Sequence, residues 1–322
     1  MTIDQNWNEH TDKILKKPDD STDGVNEHSQ CGQNSDENYT KLIKDSSLRI
    51  YPLYEIYTDL KADIQQREST PKYKSGLFDL DRKLLGLHKK QMLTIKARTS
   101  QGKSAFALQI ATSLADCGNK VVYFSLEMSK EQLLERMLSS YGRIDNFKLR
   151  SGQLGAKMRV KDIDKSFSEW IGHLKMVIDD QYGFDYATMV EMCQITNPDF
   201  VVLDYIQMVS IKGFNSKVNA IEEYVRKLKQ LSITMDFGVI LLSQINKDEI
   251  TKWASMVDEH SDTLLVPEWD WEQGVYIVKI PKQRHGSPYK GVVLKFLPEY
   301  SLFEDNLEHK TERDRLMEFS EI

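Results

Sequence analysis

The sequence has few of the features of a secreted or membrane protein. Its three cysteines are far apart and form no C-x-x-C pair, which argues against a disulfide framework and favours a reducing compartment. No apolar run approaches the roughly 18 residues that a membrane span requires. The polar, acidic start is unlike a secretory or transit signal. We therefore expect a cytoplasmic protein without a membrane segment, in which Cys117 and Cys193 are small buried side chains within helices.

The chain also lacks a charge of one sign over its main part. The first 47 residues carry ten of the 49 acidic side chains and five of the 43 basic ones, so most of the net charge of −6 belongs to them. The remainder is nearly neutral. That balance neither shows nor excludes nucleic-acid binding, which needs only a local basic stripe.

Composition divides the chain into four parts. Residues 1–47 are polar and acidic with few aliphatic side chains, which predicts a disordered arm. Apolar residues at three- and four-residue steps predict one amphipathic helix over roughly 52–68, so the segment 48–72 is either a linker helix or a core helix of the domain that follows. Residues 73–305 contain the alternating pattern of a folded domain. The charged segment 306–322 is interpreted as a solvated tail, with a partner-binding peptide as the alternative.

From residue 76 onward, strand and helix patterns alternate. The continuous apolar runs at 121–124 and 201–203 are typical of buried parallel strands. We therefore predict an α/β fold in which helices flank a mostly parallel central sheet and the C-terminal strands are antiparallel. Ser129 with Gln132 predicts a capping box, and Gly118 predicts a helix C-terminus. Strands are expected at 92–96, 121–125, 176–179, 200–204, 238–243, 275–280 and 291–297, and helices at 103–117, 129–141, 185–197 and 219–235.

The segment from Ala97 to Ser104 lies between a predicted strand and a predicted helix, and it is typical of a phosphate-binding loop. Backbone N–H groups and the helix dipole would face the phosphates, Lys103 would reach the β and γ oxygens, and Ser104 would hold Mg²⁺. The usual pattern opens with glycine six residues before the lysine, where this chain has Ala97, so the interpretation needs further parts of a nucleotide site. The predicted nucleotide-binding residues are Thr99, Ser100, Gln101, Gly102, Lys103, Ser104, Ala105 and Asp204.

Those further parts follow the other predicted strands. Glu127 comes just after strand 121–125, Asp204 ends strand 200–204, and Gln244 follows strand 238–243. In an open α/β sheet ligands bind at the carboxyl edge, so these side chains should meet there. Alone, such an aspartate often caps a turn, such a glutamate is usually solvated, and such a glutamine can bond to backbone. Together they predict phosphoryl transfer to water, with a metal clamp, a general base and a γ-phosphate sensor.

A set of motifs in fixed order resembles the ATPase domain of DnaB-type replicative helicases. The resemblance covers about residues 50–305. The motifs are GLFDLD at 76–81, GL at 86–87, SQGKSAFA at 100–107, FSLEMS at 124–129, LDYIQ at 203–207, LSQIN at 242–246, KQRHG at 282–286 and EYSLFE at 299–304.

This resemblance implies a role for each matching residue. Lys103 and Ser104 would bind phosphate and Mg²⁺, with Asp204 as the Walker B carboxylate. Glu127 would orient or deprotonate the attacking water, Gln244 would sense the γ-phosphate, and Lys282 and Arg284 would reach into the ATP site of the adjacent subunit. The resemblance further implies a RecA-like P-loop NTPase fold and a hexameric ring that hydrolyses ATP with Mg²⁺, moves along single-stranded DNA and works with other replication proteins.

Three departures from the family pattern keep a second hypothesis open. The polar arm stands where the family has a helical collar domain. The first DNA-facing loop keeps Lys212 and Lys217, which either contact DNA phosphates or belong to a solvated loop. The second loop, between Asn246 and Asp262, is shorter than in the family. The run MVDEHSD replaces the family's SIEQDAD. The alternative is therefore a nucleotide-dependent accessory or decoy protein, encoded by a phage or mobile element, that joins a helicase ring without unwinding. A third, weaker hypothesis is a RecA-like recombination or signalling ATPase.

Overall fold

The computed structural model describes residues 53, 56–58, 60–61 and 73–306, with gaps at 154–159, 182–184, 210–216, 246–252, 271, 273 and 287. The chain divides into two compact units, residues 1–67 and residues 68–322. In the first unit the six described residues are helical, while the predicted arm at 1–47 lies outside the described residues. Residues 307–322 of the predicted tail also lie outside them.

The second unit is built on a nine-stranded sheet with the order β3-β2-β4-β5-β1-β6-β7-β8-β9. From β3 to β6 neighbouring strands are parallel, and from β6 to β9 they are antiparallel. The predicted α/β architecture with an antiparallel C-terminal part is therefore confirmed. The strands are β1 Met92–Ala97, β2 Val121–Ser125, β3 Met176–Asp179, β4 Phe200–Asp204, β5 Gly238–Gln244, β6 Thr263–Asp270, β7 Val275–Gln283, β8 Tyr289–Leu297 and β9 Leu302–Asp305.

Helices cover both faces of the sheet, which explains why β1, β2 and β4 are buried along their whole length. One apolar layer packs Phe106 and Ile110 with Tyr123. The other packs Tyr224 and Leu228 with residues such as Phe124 and Leu203. The helices are α1 Phe78–Leu84, α2 Lys103–Asp116, α3 Lys130–Gly142, α4 Asn146–Ser151, α5 Val160–His173, α6 Tyr186–Thr196, α7 Lys217–Met235 and α8 Trp253–His260, with 3-10 turns at Ile206–Met208 and Pro298–Tyr300.

Local signals located the strongly patterned helix ends correctly. The capping box of Ser129 and Gln132 is present at the start of α3, and Gly118, with φ of +86°, follows the end of α2. The expectation of a buried Cys117 was wrong, because this residue is the C-cap of α2 and is exposed. Cys193 is buried, as expected.

The elements that the sequence patterns missed are short or depend on distant partners. Strand β6 contains Pro267, and a proline within an apolar run argues against a central strand. The strand pairs with β1 only through residues 263–265. Helix α1 has no side-chain cap at Leu77. Instead, the carboxylate of Asp305 in β9 accepts hydrogen bonds from the N–H groups of Phe78 and Asp79. Within the described part of the chain, no helix combines the length and apolar character needed to cross a membrane.

Candidate functional site

The loop between β1 and α2 has the geometry of an anion cradle. Ser100 and Gly102 have φ of +64° and +71°, the left-handed region that favours glycine. Gly102 is the N-cap of α2 and supplies no side-chain cap, so the N–H groups of the first turn are not occupied by a capping side chain. A Cβ atom on Gly102 would lie 3.3 Å from the Phe296 ring, which also favours glycine at this position.

The antiparallel strands support this loop from behind. The Tyr276 hydroxyl donates to the Gln101 carbonyl at 2.7 Å, and the Trp269 N–H donates to Gln101 Oε1 at 2.8 Å. The rings of Phe296 and Phe303 stack with centroids 4.3 Å apart, directly beneath Gly102. The sequence patterns missed this support because β6, which carries Trp269, was not predicted.

The strand register places the other predicted residues at the same edge as the loop. Asp204 lies opposite Ser125, and the Leu126 N–H donates to the Asp204 carbonyl at 2.7 Å. Glu127 follows and is exposed. Gln244 lies opposite Ala97, the last residue before the loop. Lys103, Ser104, Glu127, Asp204 and Gln244 therefore all belong to the carboxyl edge of the sheet, as the sequence predicted.

Two groups of opposite charge are buried at this edge. Burial lowers the pKa of the Lys103 ammonium, against the attraction of Asp204 and Glu127. Burial also raises the pKa of the Asp204 carboxyl, against the opposing influence of Lys103, Ser104, Tyr123 and Arg136. The Tyr123 hydroxyl donates to Asp204 Oδ2 at 2.9 Å.

The second oxygen of that carboxylate remains available. Asp204 Oδ1 is buried and has no hydrogen bond of good geometry within the described residues, although the Ser104 hydroxyl interacts with the carboxylate. A buried carboxylate oxygen without a partner is unfavourable unless a ligand uses it. A carboxylate and a hydroxyl at the end of a phosphate loop are ligands that suit Mg²⁺, so the residues present fit that ion.

Gln244 is connected to the loop by its side chain. Its amide nitrogen Nε2 donates to the Thr99 hydroxyl at 2.6 Å. Its backbone is fixed by Gln207, whose Oε1 accepts from the Gln244 N–H at 3.2 Å and whose Nε2 donates to the Gln244 carbonyl at 3.0 Å. The end of β5, the turn after β4 and the phosphate loop therefore form one hydrogen-bonded unit.

Lys282 and Arg284 lie at the opposite edge of the sheet. Lys282 pairs with Leu264, which lies beside Thr94, so the basic pair is level with the start of β1. At about 3.3 Å per residue, the end of β7 is displaced from the end of β1 by roughly 13 Å along the strand direction, and β6 lies between the two strands. The structure therefore does not bring these two residues to the phosphate loop of their own chain.

Both basic residues are held by the segment 258–262. Lys282 Nζ donates to the Asp258 carbonyl and, at 3.3 Å, to the Glu259 carbonyl. Arg284 Nη1 donates to Asp262 Oδ1 at 2.8 Å. Asp262 is buried, and its Oδ2 also accepts from the Met92 N–H at 2.7 Å and from Lys229. We refer to Asp262, Lys229 and Arg284 as the Asp262 cluster.

Several residues near the site carried no signal in the sequence analysis. Tyr123 has the pattern of an ordinary apolar strand residue. Tyr205 and Gln207 belong to the LDYIQ motif, and neither residue has a role implied by the resemblance. Arg136 occupies one turn of an amphipathic helix, and only the packing of α3 brings its charge near Asp204.

Of the predicted DNA contacts, Lys212 lies outside the described residues, and Lys217 is the first residue of α7, with its side chain not described.

The parallel sheet with helices on both faces, together with its phosphate loop, defines a P-loop protein of the RecA-like class. Two solved structures share the fold. One is described as the ATPase domain of another protein, with a TM-score of 0.74, 23% identity and coverage of 80% of this chain and 99% of that chain. The other is a DnaB-like replicative helicase described with its primase interactions, with a TM-score of 0.71, 22% identity and coverage of 84% and 71%.

Sequence relationships identify the family. The model of the DnaB-like helicase C terminal domain matches residues 73–255, more than half of the chain, so this protein belongs to that family. The replicative DNA helicase DnaB of Haemophilus influenzae is 27% identical over 281 residues, covering 80% of this chain and 60% of that relative. The Rickettsia typhi DnaB is 32% identical over 193 residues, covering 54% and 38%. The chain therefore spans at most about three fifths of these two relatives.

Proposed function

We propose that this protein is the ATP-hydrolysing motor of a ring-type DNA helicase, which translocates on single-stranded DNA during replication. The observation that carries the proposal is the pair of buried, opposite charges at the carboxyl edge. Lys103 and Asp204 Oδ1 have neither an ion pair nor a hydrogen bond of good geometry within the described residues. Beside a loop whose N–H groups are uncapped, such groups suit a phosphate and its cation.

Binding would relieve the electrostatic strain of these two buried charges. The phosphates would accept from the loop N–H groups and from Lys103, and their negative charge would stabilise an ammonium whose pKa burial lowers. Ser104 and Asp204 Oδ1 would hold Mg²⁺, which supplies charge neutralisation to the β and γ oxygens when it is bound. Thr99, Ser100, Gln101, Gly102 and Ala105 would surround the phosphates as parts of the loop.

Glu127 is the group best placed to accept a proton from the attacking water. Its carboxylate is exposed at the same edge and makes no hydrogen bond or ion pair within the described part of the chain. Its lone pairs are therefore free for a water molecule. Gln244 would respond to the γ-phosphate, because its amide already contacts Thr99 in the loop.

The distant basic pair supports an assembly of several copies. Lys282 and Arg284 lie on the edge of the sheet opposite to their own loop, so a catalytic role requires the site of a neighbouring subunit. A head-to-tail interface of this kind repeats and closes into a ring, which we propose to be hexameric. Such a motor would work in the cytoplasm with DNA and replication proteins as partners, and Lys212 and Lys217 are the proposed DNA phosphate contacts.

The accessory or decoy hypothesis receives less support. The relatives described above are named replicative DNA helicases, which favours the motor. Hydrolysis measured with and without single-stranded DNA at low salt separates the two hypotheses. We expect DNA to accelerate hydrolysis by the motor, with a response that weakens as salt rises. Hydrolysis that ignores DNA would instead favour the accessory protein.

A mixing experiment tests the role of the basic pair in trans. Lys103→Ala and Arg284→Ala should each abolish hydrolysis, since one removes the loop cation and the other the partner's charge. When the two variants assemble together, an interface between an intact loop and an intact arginine forms again. Activity should recover to at most about a quarter of the native rate, the share of interfaces with two intact halves in a random ring. No recovery would contradict the trans assignment.

A further inference from the structure

The ammonium of Lys103 lies against an aromatic ring. Lys103 Nζ is 4.3 Å from the centroid of the Tyr205 ring, and the lysine is only 9% exposed. Cations over the face of tyrosine are attracted by the ring quadrupole, most strongly where water is excluded. Tyr205 follows Asp204 directly and is itself half-buried. The Tyr205 ring therefore stabilises one position of the Lys103 ammonium inside the site.

This arrangement is unusual because a carboxylate is nearby. Burial lowers the pKa of Lys103, and the negative charge of Asp204 opposes that shift, yet the two side chains form no ion pair. In a region of low dielectric, opposite charges attract strongly, so contacts on each side must keep them apart. The Tyr123 hydroxyl holds one oxygen of Asp204, and the Tyr205 ring holds the ammonium.

A direct pair of Lys103 with Asp204 would oppose nucleotide binding. It would occupy the ammonium that should reach the phosphates and the carboxylate oxygen that should face the metal ion. Every binding event would then have to break the ion pair first, which reduces the apparent affinity by the fraction of protein in the competent state.

We propose that Tyr205 is a positioning residue whose ring holds the Lys103 ammonium away from Asp204 before nucleotide binds, and so keeps the site competent to bind a nucleoside triphosphate. This inference rests on the proposed function. It assigns Tyr205 no contact with the reacting atoms.

The test replaces Tyr205 by phenylalanine and then by phenylalanines with one, two and three ring fluorines. These side chains have nearly the same shape, but the negative charge of the ring face falls with each fluorine. Affinity is measured without Mg²⁺ using ATP that carries a fluorescent N-methylanthraniloyl group. We expect Phe to bind like Tyr, and the dissociation constant to rise stepwise by about three- to tenfold across the series. The same rise should be found in KM with kcat unchanged.

A matched control and a second variant make the test specific. Lys227 Nζ lies 5.6 Å from the Tyr186 ring, away from the site, so the same fluorinated series at Tyr186 should leave affinity unchanged. Tyr205→Leu removes the ring face and should weaken binding as much as the most fluorinated ring.

The results distinguish failure of the positioning role of Tyr205 from failure of the proposed function. A flat series at Tyr205, or tighter binding as fluorines are added, overturns the positioning role while native binding of ATP upholds the proposed function. A native chain that binds no nucleotide refutes the proposed function and this inference with it.

Discussion

The two ends of strand β4 carry aspartates in opposite electrostatic states. Asp199, just before the strand, accepts from Lys89 Nζ at 2.6 Å and from the Lys120 N–H at 2.8 Å. Burial acts to raise its pKa, but these interactions outweigh burial and lower it. Asp204, at the other end, has a pKa that burial raises. Strand β4 therefore has at its amino end a carboxylate whose charge is stabilised by its partners, and at its carboxyl end a carboxylate whose charge is destabilised by burial.

The same difference holds between the two edges of the sheet. At the amino edge, the buried carboxylate of Asp262 has a partner for each oxygen. At the carboxyl edge, Lys103 and Asp204 are buried close together without forming an ion pair. We propose that the groups at the carboxyl edge are arranged for a ligand, and we expect the partners of Asp262 to stabilise the fold. Substitutions at the two edges should therefore separate effects on activity from effects on stability.

The largest expected effect is a loss of activity without a loss of stability. Glu127→Gln removes the proposed base at the carboxyl edge, so hydrolysis should fall by about 10²- to 10⁴-fold. Because Glu127 is exposed and makes no hydrogen bond within the described residues, the free energy of unfolding should change by less than about 0.5 kcal/mol. Steady-state hydrolysis, nucleotide binding and denaturant titration measure the three quantities. Hydrolysis at the native rate would rule out Glu127 as the base.

At the amino edge, we expect a substitution to lower the stability of the protein. Asp262→Ala leaves Lys229 and the Met92 N–H without their buried acceptor, so we expect a loss of about 3 kcal/mol in the free energy of unfolding. Thermal unfolding should occur roughly 6–12 °C lower. Glu169→Ala is the matched control, because Glu169 is 64% exposed where it pairs with Lys165 in a helix, and it should have almost no effect. Equal losses in both variants would contradict the description of the Asp262 cluster as a buried unit.

The two ends of β4 should respond to neutral substitution with opposite signs. Asp204→Asn removes a buried charge and keeps an acceptor for Tyr123, so the protein without nucleotide should gain about 1 kcal/mol while hydrolysis is lost. Asp199→Asn removes the negative charge that pairs with Lys89 and should lose about 1 kcal/mol. Thermal unfolding of both variants beside the native chain measures the difference. A loss of stability in Asp204→Asn would contradict the strained state of this carboxylate.

The directions of the two pKa shifts determine how the stability difference between each variant and the native chain changes with pH. The folded pKa of Asp204 lies above its ordinary value of 3.8, so its penalty is complete above the folded pKa and disappears as the pH falls toward 3.8. The advantage of Asp204→Asn should therefore shrink on acidification. The folded pKa of Asp199 lies below 3.8, so its contribution is complete above 3.8 and is lost as the pH falls below that value.

The sequence predicted the carboxyl edge well because its signals are local. Lys103 and Ser104 follow a glycine at a strand-to-helix junction, and Asp204 and Gln244 end apolar runs, so parallel pairing alone brings them together. All seven predicted strands are present, with ends shifted by at most three residues. The chemical roles of these residues remain predictions until the variants above are measured.

The amino edge and the support of the loop could not be predicted in the same way. Asp262 acquires its role from Met92 and Lys229, which are distant in sequence, and Asp305 caps a helix more than 220 residues earlier. Strand β6 was not predicted because Pro267 interrupts its apolar run. Tyr205 shows no sign of its contact with Lys103 until the loop and the end of β4 are adjacent. Such contacts depend on tertiary packing, which periodicity does not encode.

A small effect on stability is expected for the basic residue of the Asp262 cluster that lies at the surface. The Arg284 side chain is 53% exposed, so Arg284→Gln should lower the free energy of unfolding by less than about 1 kcal/mol. Asp262 keeps its bonds to Met92 and Lys229 in that variant, which explains why removing the arginine should cost far less than removing the aspartate. Denaturant titration of the two variants side by side measures the ratio. A loss in Arg284→Gln that matched that of Asp262→Ala would show that the arginine stabilises the fold of its own subunit, and would weaken the case that it is kept for a neighbour.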